Sequence, residues 1–154
     1  EYENRNGYPA DEFPEGNFYE ASFSREALGW GEMSLEEQLN QIGPSFHEKL
    51  FELIERSGMD NKDVWKAANL DRKHFSKIQC DSHYHPKKKT VMALCIALKL
   101  NLEQAKDLLA RADWAFSPSS KVDLIVQKAL IDRQYDIMQL NTILFKYTNE
   151  ILGV

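Results

Sequence analysis

From Phe46 onward the apolar residues recur in steps of three and four and never in sustained alternation. That period is the helical one, and a chain that carries it throughout has to bury one stripe per helix rather than one face per strand. The first stripe, Phe46, Leu50, Phe51, Leu53 and Ile54, ends at Ser57-Gly58, where a glycine stops the helix. The same spacing predicts helices over about residues 61–68, 71–79, 87–100 and 102–112. After Ser117-Pro118 two more are expected, over about 119–133 and 136–152. Their stripes are Val122, Ile125, Val126, Ala129 and Leu130, then Ile137, Leu140, Ile143, Leu144, Tyr147 and Ile151. Each stripe needs a partner surface, either the core of the same chain or a homodimer seam along residues 119–152. No segment reads as a strand, so the fold class is all-α.

Upstream the pattern changes. Residues 1–33 mix Gly7, Gly16, Pro9 and Pro14 with acids and show no helical period, which predicts an extended segment. They also carry Tyr2, Tyr8, Phe13, Phe18, Tyr19, Phe23 and Trp30, a ring density suited to docking on a protein partner through residues 1–30. A short helical linker follows over residues 34–43, opened by Ser34 with Glu37 three places on, the pattern of a capping box. Pro44 separates it from the next helix.

The net charge of −5 hides an uneven distribution. Residues 1–43 hold two basic against ten acidic residues, a net of −8. Residues 44–116 hold thirteen against ten, a net of +3, and residues 117–154 hold four of each. Such asymmetry bears on partners rather than on fold. At 154 residues and 43% apolar content the chain is expected to form one domain plus an appendage. No apolar run reaches the roughly 18 residues that span a bilayer, and no basic-then-apolar signal opens the chain, so a cytoplasmic location is expected. In that setting Cys80 and Cys95 are expected as free thiols. The chain opens at Glu1 rather than methionine, as a processed product or the C-terminal piece of a longer one would.

Residues 61–79, NKDVWKAANLDRKHFSKIQ, carry a more specific pattern. Two helices joined by a tight turn need an apolar residue inside the first, a residue tolerant of positive φ in the turn, an apolar anchor after it, and apolar positions on the inner side of the second. Val64, Asn69, Leu70, Phe75 and Ile78 meet those needs in order, with Asp71 placed to cap the second helix. Downstream, Pro86 and Thr90 precede the run Val91 to Leu98, followed by Leu100-Asn101-Leu102 and Leu108-Leu109. Over residues 45–116, about 70 of the 154, the chain resembles the five-helix domain of Cro and phage-repressor type (XRE-like) helix-turn-helix regulators. Trp65 departs from that pattern: the family usually places a small residue there, where its two motif helices approach most closely.

The resemblance implies that the second helix of the motif lies in the major groove of double-stranded DNA, with its early residues at base edges. Carried over residue by residue, the contacting positions are Arg72, Lys73, His74, Ser76, Lys77 and Gln79. Arginine and lysine suit guanine acceptors or phosphates, and glutamine suits adenine. Lys87, Lys88 and Lys89, at a helix start, are expected to meet the phosphate backbone.

Other chemistry fits poorly. Cys80, His83 and His85 with His74 nearby offer metal-ligand types, but structural zinc wants four ligands in paired short spacings and no second pair follows. Neither an oxyanion loop for a Cys80–His83 nucleophile nor a glycine-rich phosphate cradle is present, so neither enzymatic activity nor a cofactor is expected. The reading is thus a DNA-binding transcriptional regulator. Its alternative is a helical protein-interaction module without DNA reading, such as the C-terminal domain of a larger bacterial protein.

Overall fold

A computed structural model of the chain describes residues 31–153. The expectations for the acidic aromatic residues 1–30 lie outside the described residues. The chain divides into two compact units at Gly43/Pro44. All secondary structure among the described residues is helical.

The first unit contributes helix α1 (Leu35–Asn40). Its capping box is present: Ser34 Oγ accepts from the Glu37 amide at 3.2 Å, and the Glu37 carboxylate accepts from the Ser34 amide at 3.2 Å. Leu35, Leu39 and Ile42 are exposed.

The second unit holds α2 (Phe46–Ser57), α3 (Asn61–Ala67), α4 (Arg72–Cys80), α5 (Lys88–Ala97), α6 (Leu102–Arg111), α7 (Lys121–Ile131) and α8 (Ile137–Thr148). Polar caps start most of them. Ser45, Asp71, Asn101, Ser120 and Asp136 each accept a hydrogen bond from a first-turn amide, satisfying donors that a helix start leaves unpaired. The centre is α5, buried at every residue from Thr90 to Ala97. It packs against α3, α6 and α8, while α2 packs on α6 and α7 on both α6 and α8. The last two helices therefore bury their inner sides on the same chain: Val122, Val126, Ala129 and Leu130 of α7, and Ile137, Leu140 and Leu144 of α8, all belong to its core.

Several helices end earlier than their apolar pattern suggests. α5 stops at Ala97 because Lys99 is left-handed, with φ of 53°, and α8 stops at Thr148 because Asn149 has φ of 59°. The expected continuation of the last helix to residue 152 is corrected accordingly: the chain turns back after Asn149. Ile143, Tyr147 and Ile151, expected on its buried stripe, are exposed. Asn69, Lys99, Asp113 and Arg133 all end helices in the same left-handed way, and each is followed by an amide that bonds a carbonyl five residues back.

A left-handed conformation costs a side-chain-bearing residue roughly 1–2 kcal/mol relative to glycine, part of which glycine returns through the greater entropy of its unfolded state. Arg133 is exposed with φ of 56°. Arg133→Gly is therefore expected to raise unfolding free energy by about 0.5–1 kcal/mol. Denaturant melting measures it, and a loss of stability would show that the arginine side chain contributes something its exposure does not reveal.

Candidate nucleic-acid interface

The geometry of α3 and α4 follows from the turn between them. Val64 is fully buried inside α3, and the helix closes through Asn69, whose φ of 56° lets its amide bond the Lys66 carbonyl at 3.0 Å and the Leu70 amide bond the Trp65 carbonyl at 2.8 Å. Leu70 then drops into the core, and the Asp71 carboxylate accepts from the His74 amide at 2.6 Å to start α4. Val64 and Leu70 are thus buried, Asn69 takes the positive φ of the turn, and Asp71 caps α4. Phe75 and Ile78 hold α4 to the core, Phe75 with its ring 6.1 Å from Phe51 in an edge arrangement. Trp65 is half-buried against the core, its indole 6.0 Å from the Lys66 ammonium.

With Phe75 and Ile78 inward, the helical rotation of about 100° per residue turns Lys73, Ser76, Lys77 and Cys80 outward, with Arg72 and Gln79 on the flanks. All six are exposed. Among the described residues Arg72, Lys73 and Lys77 take part in no ion pair, and neither do Lys62 and Lys66 of α3 or Lys87. His74 differs from its expected place. It is half-buried, its ring edge-on to Tyr84 at 6.4 Å, which leaves it a packing role beside the basic face. The Ser76 hydroxyl lies 3.9 Å from Cys80 Sγ, and the backbone carbonyl of Gln79 accepts from His47 Nε2 at 2.9 Å, tying α4 to α2 while the Gln79 side chain faces solvent.

The three consecutive lysines separate. Lys87 is exposed, but the Lys88 ammonium pairs with the buried Asp123 carboxylate and Lys89 pairs with Glu150. Asp123 also accepts from the Ser117 amide at 2.7 Å, so one carboxylate joins the start of α5, the loop before α7 and α7 itself. Two of the three cations expected at phosphates thus hold α7 and the segment after α8 to the start of α5. Sequence reasoning missed Asp123, since an acid in the first turn of a helix looks like an ordinary dipole partner. Only its place on the apolar side of that turn, beside Val122 and Val126, hinted at burial.

Between α4 and α5 the chain is fixed by polar contacts. The Asp81 carboxylate accepts from the His83 amide at 2.9 Å, and the Trp114 indole donates to the Pro86 carbonyl at 2.9 Å. The His85 ring lies tilted against Trp114, centroids 5.7 Å apart, and approaches Asp113 at 3.8 Å. Among the described residues no group of three or more His, Cys, Asp and Glu side chains is placed to hold a metal ion. Cys80 and Cys95 are free thiols. Burial pushes the Cys95 thiol up to about 12, opposed in part by a backbone hydrogen bond. No described helix is long and apolar enough to cross a membrane. No family model, curated protein or solved structure matches this chain.

Two outcomes follow from these placements. Asp123→Ala should lower unfolding free energy by about 3 kcal/mol, because it strands the Lys88 ammonium and the Ser117 amide together; a loss under about 1 kcal/mol in denaturant melting would mean that water replaces the carboxylate. A thiol-exchange reagent at pH 8 should modify one cysteine in the folded protein, Cys80, and reach Cys95 only after denaturation. Two rapid equivalents would show that α5 opens.

Proposed function

We propose that the chain is a DNA-binding protein of the repressor-type helix-turn-helix class, with α2 to α6 as the five-helix domain, α3 and α4 as its motif, and α4 as the helix presented to the major groove. The observation that carries this reading is the outward face of α4. Arg72, Lys73 and Lys77 stand exposed and, among the described residues, without ion-pair partners on a helix whose inner side is anchored by Phe75 and Ile78. Cations held on a rigid helix suit phosphate oxygens and guanine edges, and Lys62, Lys66 and Lys87 extend the same positive character. Lys88 and Lys89 belong to the scaffold in this reading.

A second reading, a protein-interaction module or a homodimer seam, draws on a different observation. Leu124 and Ile131 of α7, and Met138, Ile143, Phe145 and Tyr147 of α8 with Ile151 beyond it, are exposed although the inner sides of both helices are already buried. Apolar side chains concentrated on one helical pair are what a partner surface uses. The two readings are compatible if dimerisation through residues 119–152 sets the spacing of two α4 helices on DNA.

Anisotropy of a labelled random duplex separates them. The protein should bind, and its affinity should fall steeply between about 50 and 200 mM salt as phosphate contacts release counterions. Lys73→Ala with Lys77→Ala should weaken binding at least tenfold and reduce the salt slope by about 2, one for each lysine taken from the phosphates, with helicity unchanged. Absence of binding at low salt, or an unchanged slope, would leave the protein-interaction reading; there, Met138→Ser with Phe145→Ser should lower the mass seen by light scattering.

A further inference from the structure

Residues 150–153 form a strap across the turn that joins α3 to α4. After Asn149 the chain folds back, and Leu152 is fully buried. The Asn141 amide grips the Leu152 backbone on both sides: Oδ1 accepts from the Leu152 amide at 2.8 Å, and Nδ2 donates to its carbonyl at 3.0 Å. Asn69 Nδ2 donates to that same carbonyl, also at 3.0 Å. Gly153, at φ of 83°, then passes so close to the turn that a Cβ there would overlap the Asn69 carbonyl and lie 2.8 Å from the Ala68 carbonyl oxygen. At its other end Glu150 pairs with Lys89 at the start of α5. The strap is therefore tied to α5, to α8 and to the turn.

We propose that the strap is a positioning element. Asn141, acting through Leu152 and Asn69, holds the turn and so sets the attitude of α4, and binding of duplex DNA depends on that attitude. The binding consequence rests on the function proposed above; the hold on the turn does not. Leverage explains why a small tether matters. A nine-residue helix is roughly 13 Å long, so a tilt of about 10° at the turn moves its far end by about 2 Å, enough to take a donor out of hydrogen-bond range.

Two substitutions isolate the strap from the local turn. Asn69→Gly keeps a residue at ease with positive φ but deletes the amide that reaches Leu152, and Gly153→Ala forces the strap away from the Ala68 and Asn69 carbonyls. Amide hydrogen exchange of Asn69 and Leu70 is read against Leu94 and Ile96 of α5, and duplex DNA affinity is measured by anisotropy on the same samples. In Gly153→Ala the turn amides should exchange at least tenfold faster while the α5 amides keep their rates, and DNA affinity should fall at least fivefold. Asn69→Gly should change both in the same direction, by less. Unchanged turn exchange in both variants overturns the proposal whatever DNA does, and so does an equal acceleration at α5, which would make the strap a support of the whole fold. Faster turn exchange with unaltered DNA affinity overturns the positioning role. If the unsubstituted protein binds no duplex and the turn still loosens selectively, the DNA reading fails and the strap's hold on the turn stands.

Discussion

Helix α5 meets no water along any side between Thr90 and Ala97, and the other helices of the larger unit are arranged to make that possible. A helix apolar all round cannot lie at a surface, so it must be walled in. Here α3, α6 and α8 are the walls. The first of these belongs to the proposed DNA-reading pair and the last to the C-terminal pair, so both ends of the unit share one core. This is why no break falls at the Ser117-Pro118 step.

The charge distribution follows the same logic. A lysine at the start of a buried helix has its stem against the core and its ammonium at the rim, where a carboxylate from a neighbouring helix can reach it. Lys88 and Lys89 take that place opposite Asp123 and Glu150. Lys73 and Lys77 project from a helix with one side in solvent, and among the described residues no acid reaches them. Cations of one segment with the same formal charge thus divide into scaffold and surface according to which helix face carries them. In the proposed reading only the second group is available to phosphates.

Features that depend on residues close in sequence were readable. Ser34 with Glu37, Asn69 and Asp71 do what their side-chain chemistry favours: the first pair and the last cap helices, and asparagine tolerates a left-handed turn. Lys99 and Arg133 adopt the same backbone state without any such preference, because the next leucine or glutamine must turn back, and no local signal announces it. The remaining misses are long-range. Asp123 finds Lys88 from 35 positions away, and the exposure of Ile143 and Tyr147 depends on how narrow a stripe α5 and α7 require of α8. In the candidate interface, the outward placement of Lys73, Ser76 and Lys77 and the flanking places of Arg72 and Gln79 were legible from helical rotation alone; the inward lean of His74 toward Tyr84 was not, since Tyr84 sits in a loop with no period to read.

The strap also fixes an order of events. Asn69 and the residue whose carbonyl it holds are 83 positions apart, so during synthesis the residues of α3 and α4 emerge long before Leu152 exists. Contacts that close so long a loop form late in folding. A nascent chain therefore carries the pair of helices in an unclamped form until the segment after α8 has been made, and any encounter in that interval, with nucleic acid or with a chaperone, is with a version of the pair that the finished protein no longer presents.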